Sequence, residues 1–224
     1  MDHENKYTLM QKNHYHGGTS NHEEHNWNLD YWEILLKEAI EHFDSKDIKV
    51  LDFGCGVGRN VENIINEFKI SNVDGVDISE TNIQNCKKNF PERRFFQNNG
   101  IDLREPLIET NYYDLVTSTI VFQHIPVWDI RMSLMSDIFR VLKKGGLFSL
   151  QMGYDSTAAD SQDNYKENHY EASSTNGDFD VFMTSSDPLI KDLKNIGFNP
   201  VTSKIRPSFS DGQHSEWIYV KAYK

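Results

Sequence analysis

The chain has 224 residues, with 34 Asp and Glu against 23 Lys and Arg, a formal net charge of -11. Charged residues at 25% and apolar residues at 38% describe a globular chain, long enough to bury a full core. So acidic a balance repels phosphate backbones and anionic bilayers, which makes nucleic acid and membranes poor partners. In chain order, residues 1 to 27 are polar and hold five of the nine histidines. Trp32, Leu35, Leu36, Ala39, Ile40 and Phe43 then make an amphipathic helix. From there short β-rich runs alternate with helix-period segments, the pattern of a parallel sheet covered on both faces. Lys49 to Phe53 reads as a first strand, and Gly58 to Phe68 as a helix with Val61, Ile64, Ile65 and Phe68 on one side. Val73 to Ile78 is a second strand, and Ser79 to Phe90 a helix opened by Ser79-Glu80-Thr81.

Arg94 to Asn98, Asp114 to Phe122 and Gly146 to Met152 supply strands three to five. Before the fifth, Ile130, Leu134, Ile138 and Leu142 line a helix expected to end at Lys143-Lys144-Gly145-Gly146. Residues 154 to 184 form a polar, aromatic-dotted insertion, and connections that long inside a compact domain are usually functional. Asp187 is read as the N-cap of a helix with Pro188 at its first position, closed by Gly197. Pro200 to Ile205 and Glu216 to Tyr223 read as two final strands, and a single domain over residues 1–224 accommodates everything. Cys55 and Cys86 are too few for a disulfide framework or a CxxC metal site. The opening MDHENKYTLMQKN has no apolar signal stretch, and no run approaches the roughly 20 apolar residues of a spanning helix. A reducing cytoplasm is the expected compartment.

The informative segment is Val50-Leu51-Asp52-Phe53-Gly54-Cys55-Gly56-Val57-Gly58-Arg59, which leaves a strand and enters a helix. A dinucleotide fingerprint needs GxGxxG, but Arg59 occupies the place of the last glycine. That spacing favours a ligand without a pyrophosphate on the helix N-terminus, and a nicotinamide oxidoreductase is disfavoured. Asp77, 19 positions after Gly58, ends the second strand, where a carboxylate accepts hydrogen bonds from ribose hydroxyls. A nucleoside cofactor lacking a pyrophosphate fits both features.

At these residues the sequence resembles the class I S-adenosylmethionine-dependent methyltransferases. Asp52 to Gly58 is similar to the family's first motif and Gly75-Val76-Asp77-Ile78-Ser79 to its second. Asn98 to Leu103, Tyr113 to Val116, Val121 to Pro126 and Arg140 to Gly146 follow in the family's order. The resemblance implies an α/β fold, a doubly wound seven-stranded, mostly parallel sheet whose last strand is antiparallel. It implies S-adenosyl-L-methionine as cofactor, across the carboxyl ends of strands one to four. Asp52, Gly54, Cys55, Gly56 and Gly58 would border its methionine part, and Asp77 with Ile78 its ribose. Asn99, Gly100 and Ile101 would border the adenine, with Ser118 and Thr119 near the sulfonium. Cys55 is expected to be a small packing residue and no nucleophile.

A sulfonium methyl is already electrophilic, so a base is needed only for an acceptor that holds its proton, such as an alcohol. His124, just past the fourth strand, is the first candidate base, and His169 in the insertion the second. Tyr31, Tyr154, Asp155, Tyr170 and His214 are candidate substrate contacts. Ser118-Thr119-Ile120-Val121 lacks the Pro-Pro-aromatic element of adenine-N6 methylation, no Pro-Cys nucleophile exists for cytosine, and arsenite methylation lacks its cysteines. The expected partner is a small-molecule acceptor, methylated on the oxygen of a sugar or nucleotide-sugar-like hydroxyl. The alternatives are an N-methyltransferase of a small amine, protein or RNA, or a catalytically idle cofactor-binding domain. His14-Tyr15-His16 and His22-Glu23-Glu24-His25 have no recognisable second shell, so no metal is expected, and Trp27, Tyr31 and Trp32 could instead form a lid.

Overall fold

The computed structural model describes residues 8, 9, 11, 12, 31–104, 108–159, 162–170, 180, 181, 183–208 and 214–224. The N-terminal histidines and Trp27 lie outside the described residues.

Seven strands make one sheet. They are β1 (Lys49–Phe53), β2 (Asn72–Asp77), β3 (Phe95–Gln97), β4 (Tyr113–Thr119), β5 (Leu142–Tyr154), β6 (Val201–Pro207) and β7 (Glu216–Tyr223). Their spatial order is β3-β2-β1-β4-β5-β7-β6. All neighbours from β3 to β5 are parallel, while β7 runs antiparallel to both β5 and β6. Among the described residues, five longer helical elements flank it. In α1, π-helical turns at Tyr31–Lys37 pass into an α-helical turn at Glu38–Ile40. Then come α2 (Arg59–Phe68), α3 (Glu80–Asn89), α4 (Trp128–Val141) and α5 (Asp187–Ile196).

Alternation along the strands divides the core between two faces. Leu51, Val116, Phe148, Leu150 and Val220 pack with Ile130, Leu134 and Ile138 of α4 and Leu189 and Leu193 of α5. Val50, Leu115, Leu147 and Tyr219 face the other way, against Leu35 and Ile40 of α1, Val61 and Ile64 of α2 and Ile83 of α3. Each fully buried aliphatic side chain contributes roughly 1.5–3 kcal/mol. The chain winds outward from β1 in both directions, so the crevice between β1 and β4 is the topological switch point where α/β sheets bind ligands.

The structure moves several expected boundaries. The fourth strand stops at Thr119, not Phe122, because Ile120 turns to φ 54°, and Phe122–His124 forms a 3-10 turn. A β-branched residue in that left-handed region is strained, and such strain concentrates at functional turns. Helix α4 ends at Val141, short of the Lys-Lys-Gly-Gly run, and β5 begins at once. Lys143 reaches Asp114 on β4 at 2.8 Å instead of capping the helix. Ser186, one residue earlier than expected, is the N-cap of α5. Ser79 does cap α3, its hydroxyl accepting from the Asn82 N–H at 3.3 Å.

The insertion is pinned to α4 by Arg131, which is fully buried. Its guanidinium donates to the Ile125 and Tyr165 carbonyls and lies 5.1 Å from the Tyr165 ring centroid. Arg131→Met leaves the buried Tyr165 carbonyl and the partly buried Ile125 carbonyl without these donors, at about 1–3 kcal/mol each. We expect urea unfolding to show a loss of about 2–4 kcal/mol. A change below about 0.5 kcal/mol would mean the clamp is dispensable.

Candidate active site

The glycine loop turns where β1 delivers it. Gly54 and Cys55 donate their N–H groups to the Val76 carbonyl at 2.8 and 3.0 Å, which lays the loop against β2. Gly54 has φ 75°, and a Cβ there would stand 2.2 Å from Val121 Cγ2. The loop therefore lies directly under the segment that follows β4. Cys55 points the other way: it is buried, its sulfur packing under Gly75, so only its backbone belongs to the loop's ligand face.

Asp77 accepts from the Gly56 N–H at 2.9 Å and the Ser79 N–H at 2.8 Å. Burial raises this carboxyl, and the backbone donors offset part of that. The Asn82 side-chain amide adds a third donor at 3.5 Å, and a carboxylate has about four acceptor sites, so about one is left for a ribose hydroxyl. Ile78 packs beside Gly100, and Thr8 from the N-terminal segment approaches the same glycine. Asn99 spends its side chain on its own loop, accepting from the Ile101 and Asp102 N–H groups at 2.8 and 2.9 Å.

At the opposite end of the crevice Asp52 is completely buried. Its Oδ1 accepts from Asn60 at 3.2 Å and Thr117 at 3.0 Å. Its Oδ2, like Ser118 Oγ, is buried with no hydrogen-bond partner among the described residues. Asn60 also donates to Thr119 at 3.1 Å and accepts from the Tyr31 hydroxyl. Tyr31, a candidate substrate contact, therefore stands beside Asn60 and Asp52. Burial pushes the Asp52 carboxyl up to about 7, against the pull of Asn60 and Thr117. Arg59 stands close enough to feel both Asp52 and Tyr31, and burial lowers its pKa.

These residues fit S-adenosylmethionine. An orphaned buried carboxylate oxygen suits an ammonium, and a neighbouring guanidinium suits the carboxylate of the same amino-acid group. Asn60 and Arg59 were missed as ligand-side residues because helix periodicity explains them equally well. Protonated Asp52 cannot pair with an ammonium. Affinity for S-adenosylhomocysteine should therefore fall as pH drops through about 7, approaching tenfold per unit, and level off above it. By the same linkage, Asp52 alone makes the ligand-free fold less stable as pH rises through that value. Calorimetric titration from pH 5.5 to 8 checks this, and a flat profile contradicts it.

A second polar cluster lies beyond the strained Ile120. His124 Nδ1 sits 2.6 Å from Asp180 Oδ1, a short approach oblique to the ring N–H direction. His214 Nε2 faces Asp180 Oδ2 at 3.0 Å. Gln123 is the bracket. Its backbone carbonyl accepts from the Val181 N–H at 2.8 Å, its Oε1 accepts from the Gly153 N–H at 2.8 Å, and its Nε2 reaches Asp180 at 3.4 Å. Burial opposes ionisation of Asp180, but the two histidines hold its carboxyl well below the usual carboxylate range. His124 keeps 24% of its side-chain surface exposed, whereas His214 keeps 2%.

Of the other expected site residues, His169 Nε2 pairs with Glu167 at 2.5 Å, and its backbone N–H bonds to the Pro126 carbonyl. The Tyr154 hydroxyl donates to the Thr184 carbonyl at 3.1 Å, and Asp155 caps its own turn through Thr157. Tyr170 packs on the core, and Trp32 stacks on Phe68 at 5.0 Å, over α2. The described contacts thus join His124 with His214, through Asp180, and leave His169, Tyr154 and Tyr170 elsewhere.

Fold and site define a nucleoside-cofactor α/β domain built to hold an amino-acid group and a ribose. Residues 51–150 match the family described as methyltransferase domain. The chain is similar to sterol 24-C-methyltransferase erg6 of Schizosaccharomyces pombe, at 29% identity over 158 residues, 67% of this chain and 39% of that one. It is similar to malonyl-[acyl-carrier protein] O-methyltransferase 2 of Ilyobacter polytropus, at 35% over 116 residues, 51% and 40% of the two chains. Its fold matches Haemonchus contortus phosphoethanolamine N-methyltransferase 2, solved with S-adenosyl-L-methionine, at TM-score 0.65 and 17% identity, over 98% and 57% of the chains. The chain spans about two-fifths of the length of these two curated relatives. Residues 51–150 are thus similar to a methyltransferase domain, and the fold is that of S-adenosylmethionine-dependent methyltransferases.

Proposed function

We propose that this chain, folded as one domain, methylates the oxygen of a small polar metabolite, a sugar or nucleotide-sugar-like hydroxyl, with His124 as general base. The observation that carries the reading is the place of His124. It is a partly exposed imidazole on the turn after β4, three residues from the Val121 that covers Gly54. The bound cofactor supplies an electrophilic methyl on a sulfonium. Asp52, Arg59 and Asp77 would fix its two ends, so that the chain's contribution is alignment for an in-line displacement. His124 would take the acceptor's hydroxyl proton at Nε2, while the bound cofactor would supply the methyl group and retain the C–S electron pair on its sulfur. The imidazolium then returns its proton to solvent. The products are a methyl ether and a neutral thioether.

A carboxylate acceptor needs no such base, which is why a partly exposed histidine on the turn after β4 supports a hydroxyl. The net charge of -11 supports a small metabolite over a polyanion. Two free, buried thiols, Cys55 and Cys86, support a reducing cytoplasm as the compartment. Among the described residues no helix is long and apolar enough to cross a membrane. Release of S-adenosylhomocysteine across a panel of sugars, nucleotide sugars, amines and carboxylic acids tests the reading. Turnover confined to hydroxylated compounds supports it. Turnover confined to amines, carboxylates, proteins or RNA overturns it.

A further inference from the structure

We infer that Asp180, backed by His214, is a positioning residue that fixes the tautomer of His124, so that the insertion after β5 prepares the base. The inference rests on the reading of His124 as base only for its kinetic consequence. An ionised carboxylate accepts hydrogen bonds and donates none. The proposal therefore assigns protons to the ring nitrogens facing Asp180, Nε2 of His214 in its 3.0 Å hydrogen bond and Nδ1 of His124 at 2.6 Å, which a small ring rotation would align. With its Nδ1 proton held, neutral His124 presents a lone pair at Nε2, the atom left to face an acceptor.

Asp180 is itself held from three directions. The next residue, Val181, bonds through its N–H to the Gln123 carbonyl, which fixes the backbone beside the carboxylate. The Gln123 side chain ties Asp180 to the end of β5 at Gly153. His214 closes the far side, and its ring lies flat on Gly153. A Cβ on that glycine would stand 2.3 Å from His214 Nε2. Glycine at the end of β5 is thus the space in which the second histidine sits. The Trp217 ring, 5.8 Å from that of His214, backs it from β7. Two histidines on one carboxylate exceed what a loop anchor needs, and the less buried ring, His124, is the one on the turn after the Val121 that covers Gly54.

The test uses full-length protein labelled with 15N-histidine, saturated with S-adenosylhomocysteine, and reads ring tautomers from nitrogen–proton correlation spectra above pH 8. His124→Gln assigns the signal. The expected result is the Nδ1–H tautomer for His124 and the Nε2–H tautomer for His214. In Asp180→Asn, His124 should lose its single tautomer while S-adenosylhomocysteine affinity is unchanged, which shows the fold intact. Gly153→Ala should displace His214 and give an intermediate spectrum. With any hydroxylated acceptor that turns over, Asp180→Asn should lower kcat roughly 10- to 100-fold at constant KM. An Nε2–H tautomer for His124, or an unchanged spectrum in Asp180→Asn, overturns the inference. So does a shift of both rings on adding Zn2+ that a chelator reverses, since the trio would then be metal ligands. A fixed tautomer in a protein that methylates only amines would keep the positioning device and discard the hydroxyl acceptor.

Discussion

His124→Ala should reduce kcat for methyl transfer to a hydroxyl by about 10²- to 10⁴-fold, the usual contribution of a general base. S-adenosylhomocysteine affinity should stay within about twofold, because the proposal gives the two ends of the cofactor to Asp52, Arg59 and Asp77 and not to His124. The proton is the reason for the size of the effect. A sugar hydroxyl is a weak nucleophile until its proton departs, and no other described group combines a ring nitrogen, partial exposure and a place beside the loop under Val121. His169, engaged with Glu167, should be replaceable with little effect on kcat. A loss of less than about tenfold in His124→Ala would mean that solvent or another group takes the proton.

Gly54→Val should have the largest effect on the cofactor site. Its φ of 75° is a left-handed conformation that a β-branched residue adopts at a cost of about 1–3 kcal/mol. The new Cβ would also lie 2.2 and 2.9 Å from the two Cγ atoms of Val121. Overpacking of that kind costs about 1–3 kcal/mol, and either the loop or the post-β4 segment must move. Both carry ligand-side groups, so S-adenosylhomocysteine affinity should fall at least about 100-fold, equivalent to about 2.8 kcal/mol. Urea unfolding should report the strain separately. Unchanged affinity would mean that the loop and the turn above it are not a shared wall of the site.

The parts of the site that were legible in the sequence are those encoded locally. Asp52 through Gly58 and Asp77 sit at a strand–turn–helix junction, where alternation, helix period and glycine spacing all act within some 30 residues. The seven-stranded, mostly parallel sheet with an antiparallel last strand came from resemblance and is borne out by the pairing of β5, β7 and β6, while the strand order is read only from the structure. Illegible were the groups whose meaning depends on distant partners. Asp180 lies 57 positions from Gln123 and 34 from His214, and nothing local marks it among the other acids of a polar insertion. Gly153 reads as an ordinary strand residue until the His214 ring is seen against it. Asn60 looked like a polar position on an amphipathic helix, although it turns inward to Asp52. Arg131, fully buried on α4, breaks the expected pattern because the insertion's carbonyls supply its partners.

The chemical nature of the methylated product tests the central claim most directly. Radiolabelled methyl from S-adenosylmethionine should appear in a small metabolite as a base-stable methyl ether, and this transfer should collapse in His124→Ala. Label in a base-labile ester or a methylamine, or transfer undiminished by His124→Ala, would contradict the account.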